Sequence, residues 1–233
     1  MFDALHPTRN EIMSINEYRD FAILSGHKLM NAAPRARCPV CKRGLAVRAG
    51  QTKDNQHFYH DDEDFCPTKD PASRPYLGKA PTRIDLKAIE LNRQWLMENL
   101  DAVYSKLSSI IPRLAVSEFA DLLEEAKRLN VYGYVGFVKE HTPYVLVTLM
   151  NFLPSNSYKK QRKFKFVFFY DAGVQNYEDL WIDRGFASDL TSVSYHKNVP
   201  QKSKQVDIET SYLTQSSKLL LTPKQREWCL KVL

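Results

Sequence analysis

Only eight glycines and four cysteines occur among the 233 residues of this chain. No glycine-rich phosphate-binding loop is present, and no Gly-x-Ser-x-Gly nucleophile elbow occurs. No apolar run approaches the ~20 residues a membrane-spanning helix needs. The opening residues MFDALHPTRN lack the basic-then-apolar order of a secretory signal. Internal repeats, heptad runs and low-complexity tails are missing as well. These absences exclude the familiar nucleotide loops and serine-hydrolase elbows. They predict a cytoplasmic protein with no membrane partner, in a compartment where thiols stay reduced. Four cysteines there do not read as a disulfide framework. What is present, 43% hydrophobic and 26% charged residues, is the composition of an ordinary globular protein. The length is enough to build a core without covalent staples.

The net charge is +6, and it is unevenly placed. Residues 131–170 hold six basic side chains and one acid. From Phe21 to Lys53 there is no acid at all. That second window holds Arg35, Arg37, Lys42, Arg43 and Arg48 around the first two cysteines. Clusters of this kind favour a polyanion, usually nucleic acid. A third candidate is the stretch from Tyr158 to Phe166, where Tyr158, Phe164 and Phe166 alternate with Lys159, Lys160, Arg162, Lys163 and Lys165. Aromatic rings there can stack bases while the cations meet phosphates, although lysines on an edge strand also serve to discourage aggregation.

Three of the four cysteines lie between Cys38 and Cys66, with His57 and His60 among them. Cys38-Pro-Val-Cys41 is a tight turn that brings two sulfurs to one place, and Gly44 would supply the left-handed backbone that such a knuckle needs. A redox Cys-x-x-Cys would instead open a helix after a strand. LAVRAGQTKDNQHFYH reads as strand, turn, strand, a hairpin that returns the distal donors to the knuckle. On a strand His57 and His60 face opposite ways, so one metal takes one of them. Cys38, Cys41, His60 and Cys66 are the favoured zinc ligands, with His57 the alternate. Four protein ligands leave no open position, so the zinc is structural. The acidic run Asp61–Asp64 inside the cluster reads as a solvated loop that offsets the basic surroundings.

The knuckle, the hairpin, His57-Phe58-Tyr59-His60 and the trailing Cys66 resemble the N-terminal zinc module of the competence protein CoiA-like family of bacterial and phage proteins. The resemblance covers residues 38–66. It implies zinc beside DNA-handling machinery, in a bacterial or phage DNA-processing or defence setting, and a nuclease domain of the restriction-endonuclease type downstream. This chain lacks that family's Glu-x-Gln or Glu-x-Lys strand. Asp207 and Glu209 are the nearest fragments of a catalytic metal site.

The fold class expected is α+β: a zinc-binding β-hairpin module with a Pro-rich linker over residues 1–80, then an α+β domain over 81–233. Within the second part, residues 82–130 are read as helices and 131–233 as a mainly antiparallel sheet closed by a C-terminal helix. VYGYVGFV and YVLVTLMNF read as a hairpin, KFKFVFFYDA as the next strand, HKNVPQKSKQ as a polar loop and QVDIETSYL as a fourth strand. Helices are expected to start at Ser117 and, through Thr222-Pro223 and Gln225, near the C-terminus. The leading function is a non-catalytic nucleic-acid-associated protein, with DNA the favoured partner. The alternatives are a divergent metal-dependent nuclease and an adaptor subunit of a DNA-processing complex.

Overall fold

A computed structural model describes residues 1–48, 56–64, 66–69, 83–157, 160–170, 190–216 and 220–233. Most of the Pro-rich linker and the segment 171–189 lie outside these. The α+β class stands: antiparallel hairpins and sheets alternate with six helices among the described residues. None of those helices is long and apolar enough to cross a membrane. The chain forms two compact units. The first takes in Met1–Ser73, Phe164–Gly173 and Asp189–Val206, and the second Arg74–Lys163, Val174–Ser188 and Asp207–Leu233. The polypeptide therefore leaves the N-terminal unit and returns to it.

The first unit begins with β1 (Asp3–Leu5) paired antiparallel to β2 (Ile12–Ser14). Ser14 then caps α1 (Ile15–Leu24). Its hydroxyl accepts the Glu17 N–H at 3.3 Å and its own N–H donates to the Glu17 carboxylate at 2.6 Å, a reciprocal capping box. A short hairpin follows, β3 (Ala46–Arg48) with β4 (His57–Tyr59), in which Val47 faces Phe58 and Arg48 faces His57. The returning chain adds a three-stranded sheet in the order β7 (Lys165–Tyr170), β8 (Leu190–His196), β9 (Val199–Val206). HKNVPQKSKQ is therefore no loop. Lys197 and Asn198, at φ 48° and 65°, make a two-residue turn between the paired His196 and Val199, and β9 begins at once. Both central residues sit in the left-handed region, as a type I′ hairpin demands. On the outer edge of β9, the Phe2 N–H donates to the Gln201 carbonyl at 2.9 Å. The expected fourth strand over QVDIETSYL is only the tail of β9, since the chain leaves the sheet after Val206 and makes a 3₁₀ turn at Ser211–Leu213.

One core joins these parts. Ala4, Tyr18, Val47 and Phe58 pack with Val167, Phe169, Val193 and Tyr195, and Cys38 and Cys66 belong to the same cluster. Burying apolar area at roughly 25 cal/mol per Å² makes such a cluster the main stabilising element of the unit.

The second unit is mostly helical. The helices expected over 82–130 are there: Asp85 caps α2 (Leu86–Glu98), and α3 (Leu100–Ile110) follows after Asn99. The Asn99 side chain donates to the Trp95 carbonyl at 2.8 Å, competing with the backbone where the helix breaks. Helix α4 (Val116–Arg128) starts one residue earlier than Ser117 suggests, with Glu118 accepting the Ala115 N–H at 3.0 Å. The expected hairpin over 131–152 is absent. Instead there are 3₁₀ turns at Val131–Gly133 and Lys139–His141 and a short helix α5 (Thr142–Leu146). Tyr144, Val145, Leu146 and Val147 are all fully buried. A segment buried on every side carries no polar period to separate helix from strand, and Pro143 in the first turn favours the helix. Hairpin β5 (Ser155–Ser157) with β6 (Lys160–Arg162) and helix α6 (Pro223–Val232) complete the unit. The Thr222–Gln225 capping box of α6 is as expected.

Candidate metal centre

The knuckle is built by backbone hydrogen bonds across Cys38-Pro-Val-Cys41. Cys38 N–H donates to the Arg43 carbonyl at 2.7 Å, and Lys42 N–H donates to the Cys38 carbonyl at 2.9 Å. The left-handed residue is Lys42, at φ 60°, and not Gly44. Gly44 leaves room for a neighbour instead. A β-carbon there would stand 3.1 Å from Cδ and 3.2 Å from Cβ of Arg35, whose aliphatic stem crosses it. The hairpin is held in place by Asn31, whose side chain donates to the Val47 carbonyl and accepts the Val47 N–H, both at 2.9 Å.

These supports bring four donors together. One ligand atom each from Cys38, Cys41, His60 and Cys66 lies within 4.8 Å of all the others. Cys38 Sγ is 3.9 Å from Cys66 Sγ, and Cys41 Sγ is 3.7 Å from His60 Nε2. A disulfide needs about 2.05 Å, so the sulfurs are not bonded. A tetrahedral zinc, with Zn–S near ~2.3 Å and Zn–N near ~2.0 Å, sets donors about 3.6–3.8 Å apart. The spacing of the side chains fits that ion. His57, the alternate ligand, is on β4 with its ring 6.4 Å from that of Phe2 and 6.5 Å from that of Tyr59, and it does not join the cluster.

The donors contest protons in a buried place. Hydrogen bonds with Cys41 and Cys66, then burial, push the Cys38 thiol far up, while bonds with Cys38 and Cys66 hold Cys41 far down. Burial works to lower the His60 pKa, but its bonds to Cys41 and Cys66 prevail and raise it to about 9. A dication suits such a set, since it stabilises the thiolates and the neutral imidazole together.

A surrounding layer supports the four. Thr68 Oγ1 is 3.1 Å from Cys66 Sγ, and Asp62 is 3.9 Å from His60 Nδ1, the ring nitrogen turned away from the sulfurs. The Thr68 hydroxyl is within reach of the Cys66 sulfur, whereas Asp62 lies beyond hydrogen-bond distance of the His60 ring. Sequence reading singled out neither residue for this role. The only available signal was their position within two residues of a ligand.

The basic residues expected to meet phosphate divide. Arg35 pairs with Asp61 at 2.9 Å. Arg43 pairs with Asp64 at 2.8 Å and Asp62 at 3.5 Å, and its pKa is raised first by the Cys41 sulfur. Arg37 donates to the carbonyls of His6 and Arg9 and to Asn10. Lys69 joins the ring by donating to the Asp62 carbonyl at 2.7 Å. The acidic run is thus a set of counterions for the basic ring around the knuckle. Lys42 forms the knuckle bend. Arg48 is exposed, its guanidinium 4.9 Å from the Tyr59 ring centroid. Arg162 is buried at 3% exposure. Its Nε donates to the Leu153 carbonyl at 2.8 Å, and its guanidinium grips both oxygens of Glu118. It is a structural cation of the helical unit and not a surface contact. Lys163 is exposed, and Lys165 Nζ lies 5.9 Å from the Tyr195 ring. Lys160 is on β6, while Lys159 and Tyr158 lie outside the described residues.

Asp207 and Glu209 follow the end of β9 and share no strand face. Glu209 is engaged by Lys106 through one oxygen and Ser211 through the other, while its main chain exchanges two hydrogen bonds with the Tyr144 hydroxyl. This carboxylate is an internal anchor.

No family model, curated protein or solved structure matches this chain.

Proposed function

We propose that this chain is a non-catalytic nucleic-acid-associated protein whose N-terminal unit is held in shape by a structural zinc ion. The observation that carries the zinc part is the convergence of Cys38, Cys41, His60 and Cys66 on one point. Hydrolytic zinc keeps a position for water, and a set of four protein donors leaves none. The support for nucleic acid is the solvent-side face of the β3–β4 hairpin. Phe58 points into the core, so His57 and Tyr59 turn the other way, with Phe2 beside His57 and Arg48 over Tyr59. Rings of this kind stack unpaired bases, and a cation among them meets the phosphates.

The test is fluorescence anisotropy with labelled single-stranded and duplex DNA on zinc-loaded protein, as a function of salt. The reading requires an affinity that falls roughly tenfold or more between 50 and 200 mM salt. Binding that is absent, or indifferent to salt, overturns the nucleic-acid part. Native mass spectrometry settles the zinc part separately, since one ion per chain must be retained.

A second reading, a protein–protein adaptor, is favoured by the pairing of Arg35, Arg43 and Lys69 with the acidic run. Those cations already have partners, which leaves the knuckle less attractive to phosphate than its composition suggests.

A further inference from the structure

A cavity of about 360 Å³ opens in the first unit between the β1–β2 turn and α1, away from the four metal donors. His6 lines it and is only 7% exposed. Its Nδ1 accepts the backbone N–H groups of Thr8 at 3.2 Å and Arg9 at 3.3 Å. That assigns the ring proton to Nε2. The hydrogen bonds of the ring are made at Nδ1, which leaves Nε2–H as the donor open to something that enters the cavity. Burial, then the nearby Arg9, lowers the His6 pKa, which keeps the ring neutral near pH 7.

The rest of the lining has a consistent character. Phe21 stands edge-on to His6 at 4.9 Å, and Leu24 at the mouth is 88% exposed. Glu11, Glu17 and Asp20 supply three carboxylates against one cation, Arg9, which pairs with Glu11 at 3.2 Å. Glu17 caps α1 through one oxygen. Asp20 is exposed and has no partner among the described residues. The site is therefore an apolar slot with a negative rim and one neutral donor at its base.

We infer that this cavity receives a lysine or arginine side chain from a partner polypeptide. Its aliphatic stem lies on Phe21 and Leu24, its cation sits among Asp20, Glu11 and Glu17, and a main-chain carbonyl accepts from His6 Nε2–H. Long cationic side chains have this amphipathic form, and the cavity volume is in the range of side-chain and small-ligand pockets. The negative rim disfavours an anion. The inference goes beyond the zinc and nucleic-acid reading and does not depend on it.

The experiment is an NMR titration of the full-length, zinc-loaded protein with the capped pentapeptide Ala-Ala-Lys-Ala-Ala and with its norleucine analogue. The expected result is saturable shifts at the His6 imidazole and the Phe21 ring, with the lysine peptide binding about fivefold tighter or more. Asp20→Asn, a surface change that leaves the fold intact by thermal melt, weakens the lysine peptide about two- to fivefold and leaves the norleucine peptide unchanged. His6→Ala abolishes both sets of shifts. Three results overturn the inference: no saturable shift, equal affinity for the two peptides, or an Asp20→Asn protein that binds lysine peptide as the parent does.

Discussion

Replacing Cys66 by serine tests the metal centre most directly. Cys66 is fully buried, its sulfur 3.9 Å from Cys38 Sγ, and it shares a core with Val47, Phe58 and Tyr195. Serine removes one of three thiolates and one of four donors, and leaves a hydroxyl in its place. Structural zinc contributes about 10–16 kcal/mol of apparent binding free energy at neutral pH, against a total stability of about 5–15 kcal/mol for a domain. If three remaining ligands keep half of the lower figure, about 5 kcal/mol is still lost, which exceeds a thousandfold in an equilibrium constant. The assay is hydrogen exchange read by mass spectrometry. The amides of Cys38, Leu45 and Phe58 donate to Arg43, Ala36 and Met1 carbonyls, so they report on the knuckle and its hairpin. Their protection should fall more than a thousandfold in Cys66→Ser, or in the parent protein with chelator, while amides inside α4 keep theirs. Unchanged protection at those three amides after complete zinc removal refutes the reasoning, because packing alone would then hold the unit.

Glu118→Gln keeps an acceptor for the Ala115 N–H but strips the counterion from buried Arg162. It should cost about 3–5 kcal/mol by urea unfolding, and Arg162→Met should cost less and leave DNA affinity unchanged. Lys106 and then Ser211 hold the Glu209 carboxyl below its ordinary value of 4.5. A depressed carboxylate stabilises the fold above that ordinary value and loses its contribution as pH falls through the folded one. The stability difference between the parent and Glu209→Gln should thus be constant above about pH 5.5 and shrink at more acid pH. Gly133→Ala places a β-carbon 2.7 Å from Ile89 and 2.8 Å from Ile84, and calorimetry should show a loss of about 1–3 kcal/mol. Tyr59→Ala should weaken single-stranded DNA binding by about 1–3 kcal/mol with zinc content unchanged by native mass spectrometry.

The metal cluster was legible because its chemistry is carried by rare residue types at short spacing. Strand alternation was also enough to set His60 against His57, since the inward Phe58 between them fixes the hairpin face. Capping chemistry placed α6, because the Thr222 side chain and the Gln225 N–H three residues away form a local interaction. The segment 131–152 was not legible. Residues 142–149 within it are buried without a break, so no polar period shows there, and the choice between helix and hairpin is made by the neighbours they pack against. The Lys197-Asn198 turn was missed because it uses no glycine, although asparagine tolerates the left-handed region. The return of β7–β9 to the first unit could not be read either, because no local pattern tells a strand which core it will enter.

Charge was the weakest guide, for a reason visible at the knuckle. The acid-free window from Phe21 to Lys53 looks like free positive surface in the sequence. Eight residues after it ends, the chain delivers Asp61–Asp64, and the hairpin folds these acids onto Arg35 and Arg43. The fold that brings His60 and Cys66 to the knuckle is the same fold that brings the counterions, because both lie on the returning arm. One segment therefore carries both the candidate metal donors and the counterions. A cation left to meet a polyanion is one that the acids of that arm do not take up: exposed Arg48, at the end of β3, lies over the Tyr59 ring of the arm instead. Removing the acids should consequently do more than removing the bases: Asp61→Asn with Asp64→Asn releases Arg35 toward solvent and leaves Arg43 with Asp62 as its remaining carboxylate. DNA affinity should rise in this double variant and its salt slope steepen by about 0.7–0.9 for each phosphate newly contacted. A double variant whose slope matches the parent's would mean that the paired arginines face no nucleic acid in either state.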